Sequence, residues 1–340
     1  MKKNIPKNII KFLTPKVIIS YLILLCLGLL SGYYFANYLS ESDKDQNTEL
    51  RLGNSTGFTN PLLECELGRD SIASKKLDFT PEMEDFSEEL KDRAGLSHIS
   101  IYYRDLNNGP IININANESF APASLLKVPV LIAYLKWSED KPEVLDEQIK
   151  FETEVNVGYS QEFAPVVALE IGKTYSAKQL LENMTKYSDN QALVLLYQRL
   201  PASYQQSLYS LTGVDKNIMT DPKSTLTVKQ YSIFFRILFN ASFLSQTNSE
   251  YALKLLSEST FQQGVRKGVP LNIPISHKFG ERKPADSLQQ FHDCGVVYYP
   301  DHPYLLCVMT RGKDVSKLID SIYKTSEYVY NKIDSQFGKK

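Results

Sequence analysis

The sequence predicts a two-lobed α/β (α+β) fold: one β-sheet covered by N- and C-terminal helices, and an all-helical lobe inserted between its strands. Three observations carry this. Apolar residues alternate with polar ones at Ile99, Ile101 and Tyr103 and again at Ile112, Ile114 and Ala116, around an Asn107-Asn108-Gly109 turn. That is the pattern of a hairpin with one buried face. Strand patterns return only at Ile273 to Phe279, at Gly295-Val-Val-Tyr-Tyr and at Tyr304-Leu-Leu-Cys-Val-Met, while Pro122 to about Phe261 is mainly helical in periodicity. The two strand groups have little to pair with unless they join in one sheet, which leaves the middle helices as a second lobe and a cleft between the two.

In chain order, Lys2, Lys3, Lys7, Lys11 and Lys16 form a basic segment, 1–16, with no acidic residue before Glu41. Val17 to Leu39 is 23 residues without a charge, enough to cross a hydrocarbon core of about 30 Å as a helix. Lysines before it and Glu41, Asp43 and Asp45 after it predict a single-pass anchor in the cytoplasmic membrane, with the N-terminus inside and the rest extracytoplasmic. A cleaved signal peptide is the competing reading. It is disfavoured because bulky Tyr34 stands two residues before Ala36, where a small residue is needed. Residues 40–80 read as a polar linker in which Pro61-Leu62-Leu63 is apolar enough to dock. The folded domain is expected over 81–340. It opens on a helix over Glu82 to Ala94, with Phe86 and Leu90 one turn apart, and closes on a helix whose stripe runs from Val315 through Leu318, Ile322 and Val329 to Ile333.

The chain has 340 residues, 43% hydrophobic and 23% charged, with a net charge of −1. No overall basic field is present for nucleic acid. The four histidines fit no metal-ligand spacing, and a strand pattern explains His292-Asp293-Cys294 without a metal. No Gly-x-Ser-x-Gly elbow and no Gly-rich phosphate loop occur. No cofactor is implied. The four cysteines do not form a disulfide framework. Cys294 and Cys307 flank a hairpin turn near Pro300 to Pro303, which places both on one sheet face; the sequence favours two buried free thiols over a cross-strand bridge.

Three short motifs carry chemistry together: Ser124-Leu-Leu-Lys127, Ser188-Asp-Asn190 and Lys278-Phe-Gly280, spaced 64 and 90 residues apart. Ser-x-x-Lys also occurs at Ser138, in what reads as a charged loop, and at Ser321 on the C-terminal helix. Only Ser124 opens an apolar helical stretch, where the helix dipole and free N–H groups favour developing negative charge. Lys127 falls on the same face and can take the hydroxyl proton once desolvation lowers its pKa. Ser188-Asp-Asn190 interrupts a helical pattern and reads as a short loop facing the cleft. Lys278-Phe-Gly280 is expected at the end of a strand beginning near Ile273.

In these motifs the chain resembles the penicillin-recognising serine enzymes, class A β-lactamases most closely. The resemblance spans roughly residues 85 to 336 and includes Gly172-Lys-Thr-Tyr-Ser-Ala-Lys-Gln-Leu-Leu and Gly295-Val-Val-Tyr-Tyr-Pro. It implies an antiparallel sheet flanked by helices and a β-lactam, or an acyl-D-Ala-D-Ala peptidoglycan peptide, as substrate. It implies that Ser124 is acylated, that Lys127 is its base, and that Ser188 relays a proton to the leaving nitrogen. Asn190 would hold the substrate amide, Lys278 within its Lys-x-Gly280 motif would bind substrate carboxylate, and the backbone N–H groups of Ser124 and Glu281 would form the oxyanion hole.

Two departures qualify what the resemblance implies. Phe279 stands where the family usually carries Thr, removing a hydroxyl from the substrate-carboxylate site. Between Asn190 and Ser249 there is no Glu, and Asp215 and Asp221 are the only acidic residues, so a deacylating base is missing. Acylation with slow deacylation is therefore expected. A cell-wall D,D-peptidase and a non-turnover binder of β-lactams or wall fragments are the alternatives.

Overall fold

A computed structural model describes residues 57–60, 79–107, 110–155, 162–221, 223–283 and 288–338, with further positions between 15 and 31. No helix among the described residues is long and apolar enough to cross a membrane. Much of the apolar run 17–39, all of 32–39 included, and most of the 40–80 linker, including Pro61-Leu62-Leu63 and Cys65, lie outside the described residues. Within the linker, 57–60 is held on the domain: the Glu250 carboxylate accepts the Phe58 and Thr59 N–H groups at 2.6 and 2.8 Å.

The domain begins with α1 (Thr80–Ala94), started by Pro81 and stopped by Gly95 in the left-handed region at φ 65°. A five-stranded antiparallel sheet follows, formed by β1 (Leu96–Asp105), β2 (Ile111–Ile114), β7 (Ile275–Arg282), β8 (Gln289–Val297) and β9 (Tyr304–Gly312), in the order β2-β1-β9-β8-β7. The two strand groups thus join as expected, through the β1–β9 pairing. One face, with Ile99, Ile101, Tyr103, Phe291, Leu306 and Val308, packs under α1 and the C-terminal helix α8 (Val315–Phe337). The other, with Tyr102, Val296, Leu305 and Met309, joins the core of the helical lobe.

That lobe comprises α2 (Lys127–Asp140), α3 (Ala177–Lys186), α4 (Asn190–Tyr197), α5 (Ala202–Thr212), α6 (Val228–Phe239) and α7 (Gln246–Ser257). Every residue of α2 from Lys127 to Leu135 is buried, the signature of a central helix rather than a surface one. Capping boxes at Ser176/Gln179 and Thr227/Gln230 fix where α3 and α6 begin.

The stretch from Pro122 to Phe261 is mainly helical, as its periodicity indicates. A β4–β5 hairpin (Gln148–Lys150, Thr174–Ser176) lies within it, and β6 (Leu226–Thr227) reaches out to pair with β3 (Ser119–Phe120). Segments of two or three residues are too short to show a period. Four local expectations are corrected. The β2 strand stops at Ile114, before Ala116, because Asn115 turns left-handed at φ 49° and donates from its side chain to Ile99 O. Ser138 is buried on α2, not in a charged loop, and its hydroxyl bonds Leu135 O. Lys278 sits mid-strand, since β7 runs on to Arg282. Cys294 and Cys307 are paired in a disulfide, not free thiols: the β8–β9 register sets them directly opposite, with Cα atoms 3.9 Å apart.

Beneath the sheet, Asp293 takes the Val265 N–H at 2.9 Å and His277 Nδ1 at 3.0 Å. This requires Gly264 at φ 56°, where a Cβ would lie 2.5 Å from Asp293 Oδ2. Gly264→Ala is expected to lower unfolding stability by about 1–3 kcal/mol, measured by urea denaturation. An unchanged midpoint would show that the turn yields freely.

Candidate active site

Ser124 lies in a short 3-10 turn, Ala123–Leu126, that runs directly into α2. The turn is fixed from three sides. Tyr231 of α6 donates to Leu125 O at 3.0 Å, His292 Nε2 of β8 donates to Ala121 O at 3.1 Å, and Gln290 accepts the Ala121 N–H at 3.0 Å. Burial pushes the His292 imidazole down to about 4, so it stays a neutral structural donor near pH 7. Ala123 is left-handed at φ 50°, as is Ser188 at φ 57° in the second motif; strained non-glycine residues of this kind concentrate at functional sites. Gly280 of β7 faces the turn, where a Cβ would meet Leu125 Cγ and Pro122 O at 3.0 Å each. Its lack of a side chain lets the edge strand close on the turn.

The second motif is the loop between α3 and α4. Asp189 caps α4, accepting the Gln191 and Ala192 N–H groups at 2.7 and 3.0 Å, and this aims its neighbours inward. Lys127 Nζ lies 2.8 Å from Ser124 Oγ, 3.0 Å from Ser188 Oγ, 2.7 Å from Ser188 O and 2.7 Å from Asn190 Oδ1. Lys278 Nζ bonds Ser188 Oγ at 2.8 Å and Phe279 O at 2.9 Å, with the Phe279 ring 4.1 Å away. Ser124, Lys127, Ser188, Asn190, Lys278, Gly280 and Glu281 are all buried. The structure therefore brings together every residue singled out from the sequence, in one line running Ser124–Lys127–Ser188–Lys278.

Burial drives the Lys127 pKa well below the ordinary lysine range, and the neighbouring Lys278 charge adds to this. Asp189 and Glu281 oppose it. Burial also lowers Lys278 to about 7, against the pull of Asp293 and Glu281. The Glu281 carboxyl is raised by burial, although the Phe163 N–H bonds its Oε1 at 3.2 Å. A neutral amine 2.8 Å from a hydroxyl at the head of a helix can take that hydroxyl's proton during attack on a carbonyl. The Ser188 hydroxyl, between two lysine nitrogens, can pass a proton onward.

Sequence reasoning missed the residues that hold this line. Tyr231, Gln290 and His292 carry no motif. Phe163 comes from the segment between β4 and β5, packs edge-on against Phe261 and Phe279, and meets Glu281, while Glu162 pairs with Lys283. Its only sequence signal is an aromatic residue two positions before Pro165. The triplet His292-Asp293-Cys294 holds no metal site, for Asp293 points to the opposite face of β8 and Cys294 is bonded to Cys307.

The arrangement defines a penicillin-recognising serine acyl-transfer site on a sheet-plus-helical-lobe fold. Residues 83–333 match the beta-lactamase enzyme family, and the chain belongs to that family. It is thus a serine hydrolase of the type acting on the amide bond of β-lactams. It is 27% identical over 232 residues to a beta-lactamase of Bacillus amyloliquefaciens, covering 63% of this chain and 72% of that one. It is 25% identical over 231 residues to a beta-lactamase of Bacillus subtilis (strain 168), with the same coverage. The fold is similar to that of PBP-A, with a TM-score of 0.63 at 19% identity over 75% of this chain and 96% of that one. It is also similar to a class A beta-lactamase from Mycobacterium abscessus, with a TM-score of 0.62 at 20% identity over 73% and 98%.

Because neutral Lys127 is the active form of the base, the rate at which a fluorophosphonate labels Ser124 should rise with pH. The midpoint is expected well below the ordinary lysine value of about 10.4. Lys278→Met removes the like charge, so the midpoint should move to higher pH. A midpoint that stays put or falls would take Lys278 out of the tuning of Lys127.

Proposed function

We propose that this protein is an extracytoplasmic serine enzyme, tethered by its N-terminal apolar run, that forms an acyl-enzyme on Ser124 and releases it slowly. The contact that carries the reading is Lys127 Nζ, buried and 2.8 Å from Ser124 Oγ. In the acylation step Ser124 Oγ attacks the lactam or peptide carbonyl while its proton passes to Lys127. The backbone N–H groups of Ser124 and Glu281 receive the negative charge that develops on oxygen. The C–N bond then breaks, and the nitrogen gains a proton through Ser188. Asn190 holds the acyl-side amide. Its Nδ2 is buried and has no hydrogen-bond partner among the described residues, as suits a donor kept for substrate.

Slow release follows from where the carboxylates are. Asp189 is engaged in capping α4, and Asp221 accepts the Lys223 N–H at 2.9 Å in an exposed turn. Asp221 lines a cavity of about 360 Å³ that also touches Pro122, Ala123 and Glu281, and as the more exposed of these two carboxylates it is the candidate substitute for a dedicated base. General-base assistance contributes about 10²–10⁴ in rate, and without it the ester accumulates. The missing base also favours a second reading, a penicillin-binding protein of the cell wall without β-lactam turnover.

The test is rapid mixing with benzylpenicillin followed by intact mass. The expected result is a stoichiometric burst of acyl-enzyme, slow turnover after it, and no adduct in Ser124→Ala. Fast multi-turnover hydrolysis without detectable adduct would overturn the account; if that turnover disappears in Asp221→Asn, Asp221 is the missing base.

The tether reading rests on the lysine-rich start and the charge-free run 17–39. A reporter fused after Lys340 should be active only outside the cytoplasm, and the mature protein should retain Met1. A secreted form starting between Ser31 and Glu41 would exclude the tether.

A further inference from the structure

The substrate-facing end of β7 carries an acceptor that the acylation chemistry does not use. Phe279 and Glu281 are two residues apart in an extended strand, so both project to the face opposite Lys278 and Gly280. On that face a free carboxylate on the substrate would find no hydroxyl, only the Phe279 ring stacked on Phe261 with centroids 4.2 Å apart. Of the nearby lysines, Lys278 on the other face already donates to Ser188 Oγ and Phe279 O, and Lys283, whose charge acts on Glu281, is paired with Glu162. Glu281, in contrast, is buried, and its Oε2 has no hydrogen-bond partner among the described residues. A buried carboxylate oxygen without a donor is costly, and such an atom calls for a partner such as a water, an ion or a bound ligand. The other carboxylate oxygen shows which partner suits the group: Oε1 takes a backbone amide N–H from Phe163 at 3.2 Å. Glu281 also lines, with Pro122 and Ala123, the cavity beside the turn that carries Ser124, so a group bound there lies within its reach.

We infer that the Glu281 carboxylate is a specificity-determining group, accepting an N–H donor on the leaving-nitrogen side of the substrate and disfavouring a free carboxylate there. The inference rests on the acyl-enzyme reading of Ser124. The substrate class it names is an acyl amide or lactam whose leaving side continues as a peptide or carboxamide. A substrate carboxylate would face Glu281 as a like charge in a buried site, which discriminates by repulsion as well as by loss of a hydrogen bond.

Benzylpenicillin, its primary carboxamide and its methyl ester separate the charge from the donor, since all three carry the same acyl side and lactam. Acylation rates on the soluble domain and on the full chain are read by intact mass, with a fluorophosphonate as a reference label for Ser124. The carboxamide is expected to acylate wild type roughly tenfold faster than benzylpenicillin, with the ester between them. In Glu281→Gln the charge is gone, and the carboxamide-to-benzylpenicillin ratio should fall to near unity. This ratio is taken within one variant, so a reduced folded fraction cancels, and the wild-type comparison needs no variant. If wild type is labelled at Ser124 but benzylpenicillin equals or outpaces its carboxamide, or if Glu281→Gln leaves the ratio unchanged, the inference is overturned and the acyl-enzyme reading stands. If neither the fluorophosphonate nor any lactam labels Ser124, the acyl-enzyme reading fails and the inference falls with it.

Discussion

The structure depends on placing one amine, Lys127 Nζ, where water cannot reach it and four oxygens can. An ammonium group buried without a carboxylate in contact is held at large desolvation cost. Here burial favours the neutral amine, which is the form able to accept a proton. Ser124 Oγ, Ser188 and Asn190 Oδ1 converge on the nitrogen within about 3 Å, so the amine is hydrogen-bonded without being charge-paired. Burial is the main cause of the low Lys127 pKa and the Lys278 charge adds to it, while Asp189 and Glu281 oppose it; for Lys278, Asp293 and Glu281 oppose the same effect of burial.

The scaffold explains how these groups stay aligned. Lys127 belongs to a helix buried on all sides, Lys278 to an edge strand, and Ser188 to a three-residue turn whose geometry is set by the Asp189 cap. The edge strand is registered through β8 to β9, with Cys294 and Cys307 bonded across the pair. His292 and Gln290 of β8 reach past the edge strand to hold the turn carrying Ser124. The sheet and helical lobe are thus joined at the nucleophile itself. Gly280 permits this, because any side chain would hold strand and turn apart.

The polar groups of the site are unevenly placed. The Ser124, Lys127, Ser188 and Lys278 side chains are buried together, whereas among the described residues Asp189 is engaged in capping α4 and Asp221 lies in an exposed turn. Behind the edge strand, Phe261, Phe279 and Phe291 pack as a cluster with Phe163 set edge-on against all three, part of the core on that face of the sheet.

The sequence by itself determined the two-lobed fold, the bracketing of a helical insertion by strands, and the identities of Ser124, Lys127, Ser188, Asn190, Lys278 and Gly280. These are legible because periodicity is local and because chemistry demands particular residue types at particular spacings. Only tertiary structure decided the rest. Whether Cys294 and Cys307 bond depends on a strand register that two residues of offset would change. The brief β3–β6 pairing joins segments about a hundred residues apart and has no local pattern. The side-chain role of Glu281 was invisible, since its meaning comes from Phe163, a residue 118 positions earlier, whose N–H completes one carboxylate oxygen and leaves the other unpaired. Desolvation is the common reason: the sequence names the charged groups, but their burial, and hence their pKa and their reactivity, is set by chain segments distant in sequence.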